Sequence, residues 1–157
     1  MSTPTPTNAL ARRWKIDIDT SAAKDGSDWQ NIIGVTDFSP SAEPNIEDSS
    51  DYDSGGWAGN TKTGQAWEVS LTINRRINDQ VKVYHPTHEA LRIASFSSGS
   101  ASEVHVRYYD RDGLPEAYEG TAIVTWAPSG GETTALDQVE VTLTGNGPLL
   151  LITNPVA

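Results

Sequence analysis

Four alternate positions, Trp67, Val69, Leu71 and Ile73, are apolar, and Glu68, Ser70, Thr72 and Asn74 follow them in turn. Successive side chains of a strand point to opposite faces. This run therefore predicts a strand with one face in a core and the other in water. The same period recurs at Trp14, Ile16 and Ile18, and at Val104, Val106 and Tyr108. It returns at Ala122, Val124 and Trp126, and at Val139, Val141 and Leu143, the last set alternating with Glu140, Thr142 and Thr144. Ile32, Ile33, Val35 and Phe38 predict a further strand with a kink at Gly34, and Leu149 to Ile152 a short tail strand. Asp110-Arg111-Asp112-Gly113 reads as a hairpin turn. One segment departs from the pattern. Pro86 to Phe96 is rich in helix formers, with Ala90, Ile93 and Ala94, joined by Leu91 and Phe96, as an apolar stripe, which predicts a helix over 86–97. About seven strands, one helix and no βαβ alternation predict an antiparallel β-sandwich or barrel with one flanking α-helix. The domain spans residues 12–150, with a Thr/Pro arm over 1–11 and a tail over 151–157.

Between two strand-like runs lies Phe38 to Trp57, which carries Glu43, Glu47, Asp48, Asp51 and Asp53 and no basic residue. Ordering the sixteen residues from Ser39 to Ser54 costs on the order of 15–30 kcal/mol in backbone entropy. Within them only Ile46 and Tyr52 bring much apolar surface. The segment, 39–57, is thus expected to be a long acidic loop, either disordered or ordered from outside the domain.

Eleven basic against twenty-one acidic residues give a net charge of −10 and a pI near 4.5. That balance argues against a phosphate-binding surface, which needs clustered Lys and Arg. It is compatible with a surface that faces DNA without adhering to it. No cysteine is present, so disulfides and thiolate metal sites are excluded. The N-terminal residues lack the apolar core of a secretory signal, and Leu149 to Ile152 is too short to span a bilayer. A soluble protein made in the cytoplasm, with no membrane insertion by this chain, is the expectation.

Candidate chemistry is sparse. His85, His88 and Glu89 lack the H-E-x-x-H spacing of a zinc site and read as exposed polar residues at a helix start. Asp48, Asp51, Asp53 and Gly55 resemble a calcium loop only loosely, without EF-hand spacing. The remaining acids lie in polar loops or on water-facing strand positions, where neither carboxylate of a glycosidase pair would have a raised pKa. No nucleophile elbow or P-loop is present. No catalytic residue, cofactor or metal is assigned. Trp14, Trp67 and Trp126 stand in register with apolar strand faces, leaving Trp29 and Trp57 as the plausible exposed pair.

The order of features resembles the tail tube (major tail) proteins of long, non-contractile-tailed bacteriophages. The resemblance runs from the first strands to Phe38-Ser39-Pro40, through Glu43 to Trp57 and Trp67-Glu68-Val69-Ser70-Leu71, to Ala90-Leu91-Arg92. It ends on Tyr118-Glu119-Gly120, Val124-Thr125-Trp126 and Val141 to Pro148, and covers about residues 12–150. It implies a virion structural protein, with no enzymatic activity, assembled into hexameric rings stacked as a tube that conducts DNA. In the family the early long loop reaches the adjacent ring. Carried over, this marks Glu43, Ile46, Glu47, Asp48, Asp51, Tyr52, Asp53 and Trp57 as inter-ring positions, with Ile46, Tyr52 and Trp57 as apolar anchors. Glu68, Ser70, Thr72, Asn74, Glu140, Thr142 and Thr144 are candidate lumen-facing positions, since polar strand faces of this kind can line a wet channel. Implied partners are further copies of the chain, tail tip and tail terminator proteins, and a tape measure protein in the lumen. Two alternatives stand beside this reading. One is a β-sandwich binding module for sugar or calcium built on Trp29, Trp57 or the acidic loop. The other is the inner tube of a contractile tail or injection system.

Overall fold

A computed structural model describes residues 4–156. Its strands are β1 (Trp14–Asp19), β2 (Trp29–Asn31), β3 (Val35–Asp48), β4 (Asn60–Asn74), β5 (Ile77–Asn78), β6 (Val83–Tyr84), β7 (Glu103–Asp110), β8 (Ala117–Pro128), β9 (Gln138–Gly145) and β10 (Leu150–Leu151), with one helix, α1 (Pro86–Ser95), between β6 and β7. Eight strands form one antiparallel sheet in the order β2-β1-β7-β8-β9-β4-β3, with β10 added to β8, and β5 pairs only with β6. The mainly β, antiparallel architecture with a single helix is the one the alternation predicts.

The sheet is rolled, and the connectivity requires it. β2 and β3 are the two ends of the hydrogen-bonded path, yet only Ile32, Ile33 and Gly34 separate them. Laid flat, seven strands would hold those ends about 29 Å apart, whereas the four steps from Asn31 to Val35 reach at most about 14 Å. The crossing carries the predicted kink: Gly34 has φ +78°, and a Cβ there would overlap the carbonyl oxygen of Asn74. Across the closed edge, Phe38 of β3 packs at a tilt against Trp14 of β1 and edge-on against Tyr108 of β7, at centroid distances of 5.6 and 5.5 Å.

The concave face holds the core. Ile16, Ile18, Val69, Leu71, Ile73, Val104, Val106, Ala122, Val124, Val139, Val141 and Leu143 are all buried there, with Trp67 and Tyr108. Each is an inward member of an alternating run, so burial of the apolar set fixes the register of β1, β4, β7, β8 and β9.

Helix α1 packs over β8 and inserts Leu91 and Ala94 into this core. Its face differs from the expected stripe. Thr87, His88, Leu91 and Ala94 are the buried set, spaced as one helix face, while Ile93 is 54 % and Phe96 78 % exposed. Two polar residues sit on that inward face because their hydrogen bonds are satisfied locally. Thr87 Oγ1 lies 2.8 Å from His85 Nδ1. The reading of His88 as an exposed helix-start residue is thereby corrected: it is 1 % exposed. Its Nδ1 accepts the Arg76 N–H at 3.3 Å, so Nε2–H donates to the Ile33 carbonyl at 2.8 Å.

Candidate functional site, an overhanging hairpin and a polar sheet face

The segment expected to be a structureless loop is strand over most of its length. β3 pairs with β4 from Val35 opposite Ile73 to Asp48 opposite Asn60, with register shifts between Val35 and Asp37 and between Asn45 and Ile46. Its partner stretch, Asn-Thr-Lys-Thr-Gly-Gln-Ala over 60–66, has no apolar alternation to announce a strand. β9 supports β4 only from Glu68 to Asn74. Residues 60–66 and their partners therefore run past the body of the sheet as a two-stranded ribbon, overhanging by roughly 20 Å at about 3.3 Å per residue. Pro40 and Pro44 lie on β3, an edge strand, where a missing N–H is tolerated and blocks further pairing.

The tip is ordered by its own hydrogen bonds. Ser49 N–H donates to the Gly59 carbonyl at 2.8 Å, and Gly59 N–H to Ser50 Oγ at 2.7 Å. Asp51 caps a single 3-10 turn, Tyr52–Ser54: its carboxylate accepts from the Asp53 N–H and the Ser54 hydroxyl, and its own N–H donates to Ser54 Oγ. Asp48 accepts from the Ser50 N–H at 2.8 Å, and hydrogen bonding from Ser50 holds its carboxyl below the usual range. Asp48 and Asp51 thus cap turns, which removes the basis for reading them as converging calcium ligands. Among the described residues no group of three His, Cys, Asp or Glu side chains is placed to hold a metal. What the tip leaves unsatisfied is apolar surface: Tyr52 is fully exposed, Trp57 82 % and Ile46 54 %. Glu43, Glu47, Asp48, Asp51 and Asp53 surround them, all exposed.

The polar positions singled out on β4 and β9 converge. They are cross-strand neighbours on the convex face: Glu68 opposite Thr144, Ser70 opposite Thr142, and Thr72 opposite Glu140, with Asn74 opposite Gln138. The rows extend across β3 and β8, which sequence reasoning left out. Ser41, Ser39 and Asp37 flank them on β3, and Ile123, Thr125 and Ala127 on β8. Asp37, Glu68 and Glu140 are the charges in these rows, and no Lys or Arg stands among them. The signal that could have found the added residues is the strand period itself, once pairing is known.

The other half of the convex face is occupied. Asp17 of β1 is buried, accepting from Arg107 Nε at 3.1 Å and from the Tyr109 hydroxyl at 2.8 Å. Burial, then the bond to Asp17, pushes the Tyr109 phenol up to about 12. Arg107 lies over the Trp29 ring at 4.5 Å, and His105 Nε2 is 2.6 Å from Glu119. Asp19, also buried, accepts from the Ser21 and Gly26 N–H groups. These acids do not face water as the sequence suggested, and Trp29 is packed beneath Arg107, so Trp29 and Trp57 form no shared sugar platform. The β3-β4-β9-β8 rows and the overhanging ribbon are, by contrast, open.

The model of the family described as "Phage tail tube protein" matches residues 15–150, nearly the whole chain. The chain belongs to the phage tail tube protein family. As a tail tube protein it is a structural, non-enzymatic virion component. Among solved structures, the tail of an empty gene transfer agent particle, determined with C6 symmetry, superposes with a TM-score of 0.73 at 15% identity, covering 93% of this chain and 100% of that one. The virion of a native gene transfer agent particle contains a chain that matches with a TM-score of 0.70 at 14% identity, covering 93% and 100%. The SPP1 tail tube matches with a TM-score of 0.67 at 12% identity, covering 94% of this chain and 81% of that one. At such identities these likenesses speak to the fold alone. No curated protein matches by sequence.

Proposed function

We propose that this tail tube protein is the repeating subunit of a non-contractile phage tail, forming hexameric rings that stack into a tube conducting DNA. The observation that carries the reading is the overhanging ribbon. It leaves the sheet fully paired and internally capped, yet presents Tyr52, Trp57 and Ile46 to water at its tip. An aromatic side chain buries roughly 150–250 Å², so a partner that covers the tip recovers surface its own domain leaves exposed. Glu43, Ile46, Glu47, Asp48, Asp51, Tyr52, Asp53 and Trp57 are then the inter-ring residues. A heterologous contact repeated without closing builds a filament, the geometry a stack of rings requires.

The rows of Glu68, Ser70, Thr72, Asn74, Glu140, Thr142 and Thr144 face the lumen in this reading, with Asp37, Ser39 and Ser41 beside them. A wall carrying hydroxyls and carboxylates but no Lys or Arg offers phosphate no counter-charge. Its repulsion fades over a Debye length of about 8 Å, so DNA passes without adhering. Tail tip, tail terminator and tape measure proteins are the partners such a tube needs at its ends and in its lumen. Synthesis and assembly take place in the host cytoplasm, and no cofactor takes part.

Replacing Pro44–Gln65 by Asn-Gly tests the reading, because Glu43 and Ala66 are paired and a two-residue turn joins them. The shortened chain is expected to keep the wild-type unfolding midpoint and to form no tubes by negative-stain microscopy, with tail tips as seeds. Tubes of normal length from the shortened chain would contradict it.

A further inference from the structure

β4 is one strand with two unlike ends. Its N-terminal end carries the tip of the ribbon, where Glu43, Glu47, Asp48, Asp51 and Asp53 face a single base, Lys62, on the return strand. Its C-terminal end runs into Arg75, Arg76 and the small β5–β6 hairpin, which adds Lys82 and one acid, Asp79. The first surface has five acids against one base; the second offers Arg76 and Lys82 against Asp79, with Arg75 already paired to Asp137. Both also expose apolar side chains. Ile77, Val81, Val83 and Tyr84 are exposed on the hairpin, as Ile46, Tyr52 and Trp57 are at the tip.

Within one subunit these surfaces cannot meet. Fifteen residues of strand separate them, on the order of 50 Å. A second copy shifted along the β4 axis brings one onto the other. We propose that the β5–β6 hairpin, with Arg76 and Lys82, is the receptor for the acidic ribbon tip of a second copy of this chain in the adjacent ring. This rests on the inter-ring role proposed for the ribbon, and assigns its partner surface.

The receptor has the form the tip needs. A cleft of about 200 Å³ lies between Ile77, Asn78, Asp79, Lys82, Val83 and Tyr84, open to solvent and suited to one aromatic side chain. The Tyr84 ring is fixed from behind by Arg75, whose guanidinium lies 4.0 Å above its centroid and pairs with Asp137 at 3.4 Å. Arg76 is exposed and forms no ion pair among the described residues, and Lys82 pairs with Asp79, three residues away on the surface. Exposed pairs of that kind contribute little and yield readily to a better partner. Opposed charges at the rim orient the two surfaces, and the covered aromatic supplies most of the affinity.

The absence of cysteine from the chain makes the test direct. Asp53→Cys and Val81→Cys are prepared separately, mixed, assembled on tail tips and oxidised. A D53C–V81C disulfide dimer that forms in tubes and is at least tenfold depleted in unassembled subunits is the expected result. Tubes that form without this cross-link overturn the proposal while leaving the inter-ring role of the ribbon intact. Wild-type chain that never forms tubes defeats both. Charge reversal gives a second readout: Arg76→Glu with Lys82→Glu stops elongation, and adding Asp51→Lys with Asp53→Lys restores it. Normal elongation by the R76E/K82E variant alone also overturns the proposal.

Discussion

Trp67 stands where the ribbon leaves the sheet, and its indole is gripped from two neighbouring strands. Its Nε1–H donates to the Gly147 carbonyl at 3.1 Å. A Cβ on Gly120 of β8 would come within 2.6 Å of the ring, and one on Gly145 of β9 would overlap it. Both glycines are required by this close approach. Gly145→Ala is therefore expected to destabilise the fold by about 1–3 kcal/mol, the range for overpacking a core. Urea unfolding measures it, and an unchanged midpoint would show that the indole can shift at no cost. The alternation of Trp67 with Val69, Leu71 and Ile73 shows in sequence that the indole points inward. The need for glycine opposite it does not, because it arises from strands more than fifty residues away.

Among the elements, α1 and the ribbon mark the limits of sequence reading most clearly. Periodicity locates α1 within two residues and finds Ala90, Leu91 and Ala94 on its inward side, but turns the stripe toward the exposed Ile93 and Phe96, because the inward Thr87 and His88 are polar. His88 ties the helix start to the β2–β3 crossing and to the end of β4 through Ile33 and Arg76. Burial, assisted by the nearby charges of His85, Arg75 and Arg76, keeps its pKa below the ordinary value of 6.5, against the opposing bond to Ile33. The sign follows by linkage. Below about pH 6.5 the unfolded chain binds a proton that the folded chain refuses, so this contribution is complete above that pH and is lost as pH falls through the depressed folded value. The urea midpoint is expected to drop between pH 7.5 and 5, and His88→Gln to show a smaller drop over the same step. An equal drop in both chains would contradict it. The ribbon was hidden for a different reason. Both its faces are wet, so residues 60–66 carry no amphipathic signal, and the acids of β3 read as loop. Pairing, which is non-local, is what makes them strands. By contrast, the core strands were legible because each buries one face against the same core.

At the scale of the whole molecule, a rolled sheet divides its convex face into a half filled by the Asp17, Arg107, Tyr109 and Trp29 cluster and a half left open. The open half is a hydroxyl and carboxylate surface four strands wide. If it lines the channel, new cations there bind passing phosphate and slow the DNA. Particles built with Ser70→Lys and Thr144→Lys subunits are expected to eject DNA at least several-fold more slowly than wild type, with the difference shrinking as salt rises. Both positions are exposed, so the subunit itself should keep its stability within about 0.5 kcal/mol. Unaltered ejection kinetics would move these rows out of the lumen. The same body carries an acidic, aromatic tip at one end of β4 and an apolar hairpin beside Arg76 at the other, which suits growth along one axis.

The most direct measurement is a helical reconstruction of tubes grown from the wild-type chain. It should show six subunits per ring, the Glu68–Thr144 and Ser70–Thr142 rows on the inner wall, and Tyr52 and Trp57 crossing into the adjacent ring. Rows on the outer wall, or a ribbon folded back within its own ring, would contradict this account.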